Sequence, residues 1–251
     1  MKGSGAVTVT FAGSGDAFGS GGRFQACVHL RGDRLRPPVL LDCGATSLTA
    51  LRRCGLDPGE IAAVFVSHLH GDHFGGLPFL ILDGQFSRRT APLAIAGPAG
   101  TAARLRDAME CLFPGSSGVA RRFPVEITEI RPGKRVLLAG AGVTGWEVSH
   151  PSGAPALALR VAMSGRVIAY TGDTAWADAL YQVAEGADLL IAEAYQRDRN
   201  VPHHLRLADL DAHRGGLTAR RIVLTHMSAA MLRNAAGCGY ETASDGLVLH
   251  I

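Results

Sequence analysis

The run His68-Leu69-His70-Gly71-Asp72-His73 sets three imidazoles and a carboxylate directly behind the apolar stretch Ala62–Val66. A short apolar stretch that ends on polar residues reads as a buried strand. At an extended strand exit, residues i and i+2 point to one side, so His68 and His70 can reach a single ion together. Gly71 permits a sharp bend, after which Asp72 and His73 can turn back toward a second ion. Gly75 and Gly76 lack side chains, so the helix that follows can pack close behind. The competing reading is four polar residues in a solvated loop. It leaves unexplained why they begin where a buried strand stops. Clustered imidazole and carboxylate is the donor set that borderline divalent ions take.

A two-ion site needs more ligands, and three further polar residues stand at the ends of apolar runs. His150 follows Val143–Val148 and precedes Pro151, Asp173 lies in Gly172-Asp173-Thr174 after Arg166–Tyr170, and His226 follows Ile222–Thr225. Each alone reads as a hydrogen-bonded loop residue. Beside the first motif, they read as ligands gathered at one rim of a sheet structure.

The remaining pattern supplies such a structure. Strands are expected at Val7–Phe11, Ala26–Leu30, Val39–Leu41 and Leu93–Ala96, with a turn at Arg31-Gly32-Asp33. Helices are expected at Ser47–Cys54, closed by Gly55, and at Thr101–Phe113. The second half reads as strands Val125–Ile130, Arg135–Leu138, Val143–Val148, Ala156–Val161 and Arg166–Tyr170, the last two joined at Met163-Ser164-Gly165. A helix near Ala175–Ala184, strand Leu189–Glu193, helix Leu207–Arg214, strand Ile222–Thr225 and a final strand in Gly246–Ile251 complete it. Two blocks, each strands first and helices later, fit two sheets packed face to face with helices outside. With no long linker, residues 1–251 are expected to form a single domain.

Composition narrows the setting. A chain 47% hydrophobic and 19% charged is that of an ordinary globular protein. The net charge of +3 is small, and pairs such as Arg52-Arg53 and Arg121-Arg122 are scattered, so no nucleic-acid stripe stands out. Five cysteines without a C-x-x-C pair fit reduced thiols in the cytoplasm. The stretch Met1–Phe11 alternates like a strand instead of reading as a leader, and no run reaches the ~18 apolar residues of a membrane span.

The order HxHxDH, then His150, then Asp173 within GDT, then Thr225-His226 resembles the metallo-β-lactamase superfamily in its di-zinc hydrolase branch. The likeness extends from Phe11-Ala12-Gly13-Ser14-Gly15 and Leu41-Asp42-Cys43-Gly44 to the last strand. It implies an α/β fold, the four-layer αββα sandwich. It further implies that His68, His70 and His150 hold one zinc, that Asp72, His73 and His226 hold the other, and that Asp173 bridges them. Two zinc ions per chain are therefore expected, with manganese or iron as alternatives, and a homodimer. Two such ions and two aspartates leave a site charge of about +2, which favours an anionic substrate.

Within the superfamily the chain is most similar to the ribonuclease Z-like group. Ala192-Glu193-Ala194-Tyr195 resembles that group's HEATF segment, with Ala192 where the motif has histidine. His203-His204 resembles the histidine that protonates the leaving group; spacing to His226 favours His204, with Glu193 as its hydrogen-bond partner. Asp72, His204 and Glu193 are thus the expected catalytic residues. Transfer-RNA-processing members carry a long arm between the counterparts of His150 and Asp173, where this chain has only 22 residues. A small phosphodiester, such as a cyclic nucleotide, becomes the expected substrate. The alternatives are a ribonuclease Z-like RNA endonuclease and a lactone or thioester hydrolase. A non-enzymatic metal-binding protein is disfavoured because all seven ligand positions are intact.

The loop Gly13-Ser14-Gly15-Asp16-Ala17-Phe18-Gly19 lacks the Gly-Lys-Ser/Thr of a phosphate-binding loop. It reads as a close turn beside the metal rim, with Phe18, Arg23 and Phe24 at the substrate mouth. His29, His213 and His250 read as structural or solvated.

Overall fold

The computed structural model describes residues 5–32 and 37–251. The turn expected at Arg31-Gly32-Asp33 runs beyond them and lies outside the described residues. Along the chain come β1 (Thr8–Gly13), β2 (Cys27–Arg31), β3 (Val39–Leu41), α1 (Ser47–Arg53), β4 (Ala63–Phe65), the one-turn α2 (Gly71–Phe74), α3 (Leu77–Phe86), β5 (Leu93–Gly97), α4 (Thr101–Leu112) and β6 (Val125–Glu129). The second half holds β7 (Arg135–Leu138), β8 (Ala141–Val148), β9 (Ala156–Met163), β10 (Arg166–Tyr170), α5 (Ala179–Ala184), β11 (Leu189–Glu193), α6 (Leu207–His213), β12 (Ile222–Thr225), α7 (Ala229–Arg233), β13 (Glu241–Thr242) and β14 (Val248–His250).

These strands form two seven-stranded sheets, ordered β14-β1-β2-β3-β4-β5-β6 and β13-β12-β11-β10-β9-β8-β7. The final strand returns to pair antiparallel with β1, so the first and last strands are neighbours in the first sheet. Strands β3 to β6 run parallel, as do β10 to β13. Parallel strands are covered on both faces, which is why β4 and β11 are apolar almost throughout. The period of two then sorts their side chains. Phe65 faces the opposing sheet with Phe11, Leu41, Leu157 and Ile191, whereas Val64 and Val66 pack with Leu77, Ile81 and Leu105 under the helices. On the far side, Leu180, Leu207, Leu210 and Met231 cover the second sheet. The result is helix, sheet, sheet, helix. Each fully buried leucine or phenylalanine contributes roughly 1.5–3 kcal/mol relative to exposure.

Two local differences have physical causes. The helix expected from Ala175 begins only at Ala179, because the preceding amides are tied elsewhere: Thr174 N–H donates to Glu193 Oε2 at 2.9 Å and Ala175 N–H to the Ser149 carbonyl at 3.1 Å. Helix α7 and strand β13 escaped sequence reading because each is very short; Ser228 caps α7 by accepting from Met231 N–H at 3.2 Å. At the β9–β10 turn, Ser164 and Gly165 both take positive φ, 47° and 78°, as a tight two-residue hairpin requires. No helix among the described residues is long and apolar enough to cross a membrane.

His29 is buried on β2, its Nδ1 without a hydrogen-bond partner. Burial, assisted by the nearby Arg31 charge, pushes its pKa down to about 4. The unfolded chain, with histidine near 6.5, therefore takes up this proton first as pH falls. The fold should lose about 2 kcal/mol between pH 7 and pH 5 through this one group. Urea midpoints at the two pH values, compared between wild type and His29→Leu, check it. The variant should lose less on acidification, and an equal loss would assign the acid sensitivity elsewhere.

Candidate metal centre

The polar residues flagged in the sequence meet at one rim of the sandwich, where β3, β4, β8, β10, β11 and β12 end. Asp42, directly after β3, organises the first segment. Its buried carboxylate accepts from Ser67 N–H at 2.7 Å, Ser67 Oγ at 2.8 Å, Tyr170 OH at 2.8 Å and His73 Nδ1 at 2.7 Å. Fixing the proton on His73 Nδ1 leaves the Nε2 lone pair facing the site. His70 is extended, φ −78° and ψ 152°, and Gly71 starts α2, so the backbone turns just where Asp72 and His73 must reverse direction. A Cβ on Gly76 would come within 2.2 Å of the Gly44 carbonyl, which confirms how closely the chain packs behind.

Two groups of ligating atoms converge. His68, His70 and His150 form one; Asp72, His73, Asp173 and His226 form the other, each with its atoms within 4.8 Å of one another. His150 Nε2 faces His70 Nδ1 at 3.0 Å, and His73 Nε2 faces His226 Nε2 at 3.3 Å. His68 Nε2 and Asp173 Oδ1 are buried without hydrogen-bond partners. Converging lone pairs with buried, unsatisfied neighbours are costly unless a cation sits among them. The residues present therefore fit divalent metal ions.

The electrostatics agree. Burial opposes ionisation of Asp72 and Asp173, yet the surrounding histidines hold both carboxyls below the usual range. Burial likewise opposes protonation of His73 and His226, but Asp173 and Asp72 overcome it, raising His73 well above normal and His226 to about 10. Without ions, the carboxylates draw protons onto these imidazoles. The second group attracts positive charge. His68 and His150 have lowered pKa values, chiefly through burial, as neutral nitrogen ligands require.

A third group, Asp173, Glu193, His204 and His226, also has convergent atoms. Glu193 is already committed, however. Its Oε2 accepts from Thr174 N–H at 2.9 Å and Leu205 N–H at 3.2 Å, and its Oε1 lies 2.5 Å from His204 Nδ1. Burial disfavours a proton on His204, but the Glu193 hydrogen bond and charge outweigh it, so the pKa is raised. The neighbouring histidines divide the work. His204 lines the cavity, whereas His203 is exposed and offers its backbone carbonyl to His150 Nδ1 at 2.9 Å. His203 adopts φ 66° to do so.

The cavity over the site has a volume of about 210 Å³ and is lined by His70, Asp72, His150, Asp173, Tyr195, His204 and His226, with Ala17 and Phe18 at its edge. The expectation for Phe18 holds. Arg23 and Phe24 go elsewhere: Arg23 donates to the Ala243 carbonyl at 2.7 Å, and Phe24 lines a separate cavity with Arg53 and Asp245. A larger cavity, about 640 Å³, lies at the opposite rim beside Pro38, Ala62 and Pro92, and none of its residues belongs to a ligating group. Sequence reading assigned no role to Asp42 or Tyr170. Asp42 could have been found by the rule that found the others, since it too is a polar residue at the end of an apolar strand.

Known proteins resemble this chain in sequence and fold. The β-lactamase superfamily domain matches residues 38–227. A ribonuclease Z from Halorubrum lacusprofundi is 29% identical over 288 aligned positions, covering 92% of this chain and 89% of that protein. That alignment is longer than the 251-residue chain, so the relative carries stretches with no counterpart here. The human tRNase Z, short form, superposes with a TM-score of 0.77 at 28% identity, over 96% of this chain and 98% of the other. The metallo-β-lactamase fold protein YhfI from Bacillus subtilis superposes with a TM-score of 0.76 at 20% identity, over 98% of this chain and all of the other, a likeness of fold.

Proposed function

The chain belongs to the β-lactamase superfamily and is a metal-dependent hydrolase, and from that premise we propose that it is a phosphodiesterase acting on small or cyclic phosphodiesters such as cyclic nucleotides. The observation that carries this reading is the His204–Glu193 pair beside the convergent ligands. Glu193 engages Nδ1, so Nε2 is the nitrogen left to serve a departing oxygen at the cavity. A proton donor is most useful where an alkoxide must leave, as in phosphodiester cleavage.

His68, His70 and His150 would hold one ion and Asp72, His73 and His226 the other, with Asp173 between them and zinc as the favoured metal. Such ions supply Lewis acidity and a nucleophile activated at neutral pH. The chain's own residues do the rest. Asp42 fixes His73, the His203 carbonyl fixes His150, and Glu193 holds His204 while anchoring the loops that carry Asp173 and Leu205. The small cavity suits a phosphodiester group in a compact substrate.

Cleavage of an RNA end is the second reading, favoured by the ribonuclease Z relatives. The two-residue turn between β9 and β10 argues against it, because nothing there extends outward to grip a folded RNA. The test is a panel of cyclic nucleotides, linear diesters, lactones, thioesters and precursor RNA on metal-loaded protein. Cyclic and small linear diesters should be cleaved with the highest kcat/KM. Cleavage of lactones or thioesters with none of diesters would overturn the proposal.

A further inference from the structure

Phe18 is 83% exposed at the edge of the cavity that His70, Asp173 and His204 line. The loop beneath it is tightly tied. Asp16 is buried, and its carboxylate accepts from Phe18 N–H at 3.3 Å, Ser20 N–H at 2.8 Å and the Ser20 hydroxyl at 2.7 Å. At the loop's base, Asp245 accepts from Ser14 N–H at 2.9 Å and Phe24 N–H at 2.7 Å, and Gly15 N–H donates to the Phe24 carbonyl at 2.7 Å. A Cβ on Gly15 would lie 2.8 Å from Arg23 Cβ, so the two arms of the loop touch. The loop backbone therefore holds Phe18 out in water, beside the convergent ligands.

Size gives the ring a purpose. A cavity of about 210 Å³ that must also hold the reacting group has no room for a nucleoside. The rest of such a substrate must lie at the mouth. Tyr195, the other aromatic residue of the cavity, is engaged with the His204 ring at 4.7 Å, whereas Phe18 presents an open face. Flat bases stack on exposed aromatic faces with little regard for their hydrogen-bonding edges.

We infer that Phe18 is a specificity residue, the shelf on which the base of a nucleobase-bearing phosphodiester stacks while its phosphate occupies the site. This rests on the phosphodiester reading above. The test compares adenosine 2′,3′-cyclic phosphate with glycerol 1,2-cyclic phosphate, two cyclic diesters that differ in carrying a base. Metal-loaded wild type should prefer the adenosine ester. Phe18→Ala should lower that preference, the ratio of the two kcat/KM values, by roughly 5- to 150-fold, chiefly through KM. Phe18→Trp should keep it. An unchanged ratio in Phe18→Ala overturns the shelf.

Should wild type cleave neither ester, the phosphodiester reading falls, and calorimetry with adenosine monophosphate and inorganic phosphate then decides the shelf separately. Weaker binding of the nucleotide alone by Phe18→Ala supports it. Equal change for both ligands, or none, overturns it.

Discussion

Asp173→Ala is expected to lower phosphodiester hydrolysis by about 10³-fold or more, with a matching loss of bound metal. Asp173 is 3% exposed and stands three residues after β10, with its carboxylate 3.3 Å from His73 Nε2 and 3.5 Å from His226 Nε2. With His226, it belongs both to the second ligand group and to the Glu193–His204 group. Removing it leaves Asp72 as the one carboxylate near both Nε2 atoms of His73 and His226, which weakens the site for a cation. The loss of stabilisation at the reacting centre is several kcal/mol if both ions depend on this carboxylate. Metal content by elemental analysis and kcat at saturating zinc should fall together, and chelation of the wild type should reproduce the effect reversibly. Activity within tenfold of wild type, with full metal content, would show that Asp173 does not stand between the ions.

How much of this was legible beforehand follows from period and position. His68 and His70 could be paired because side chains alternate along an extended exit, and His150, Asp173 and His226 could be added because each ends an apolar run. The structure brings all of them to one rim. What escaped is what depends on distant backbone. His226 takes φ 56° and donates its N–H to the Ser14 carbonyl at 3.1 Å, a tie across 212 positions that no local pattern reveals. The choice between His203 and His204 was open for the same reason. Both are histidines before a helix, and only the left-handed turn at His203 sends one ring to solvent and the other to Glu193. Asp42 shows a third limit: strand-end position marks a residue as belonging to the rim, but only its four bonds reveal that it orients a neighbour instead of facing the cavity.

His204→Ala should produce an effect that depends on the leaving group. Hydrolysis of a diester that releases an alkoxide, such as a cyclic nucleotide, should slow by about 10²- to 10⁴-fold, the range general acid catalysis spans. A p-nitrophenyl diester, whose nitrophenolate departs without a proton, should slow by less than about tenfold. Glu193→Gln should show the same contrast in weaker form, because the amide still occupies the space but no longer holds charge against His204 Nδ1. It should also lower the melting temperature, since Glu193 Oε2 ties the Thr174 and Leu205 amides. The contrast is what separates the available roles. A histidine that served as a metal ligand, as the third group of convergent atoms permits, would slow both diesters alike and reduce metal content. A histidine that merely packed against Tyr195 would leave both rates near wild type. Only a proton donor at the cavity makes the penalty rise with the basicity of the departing oxygen.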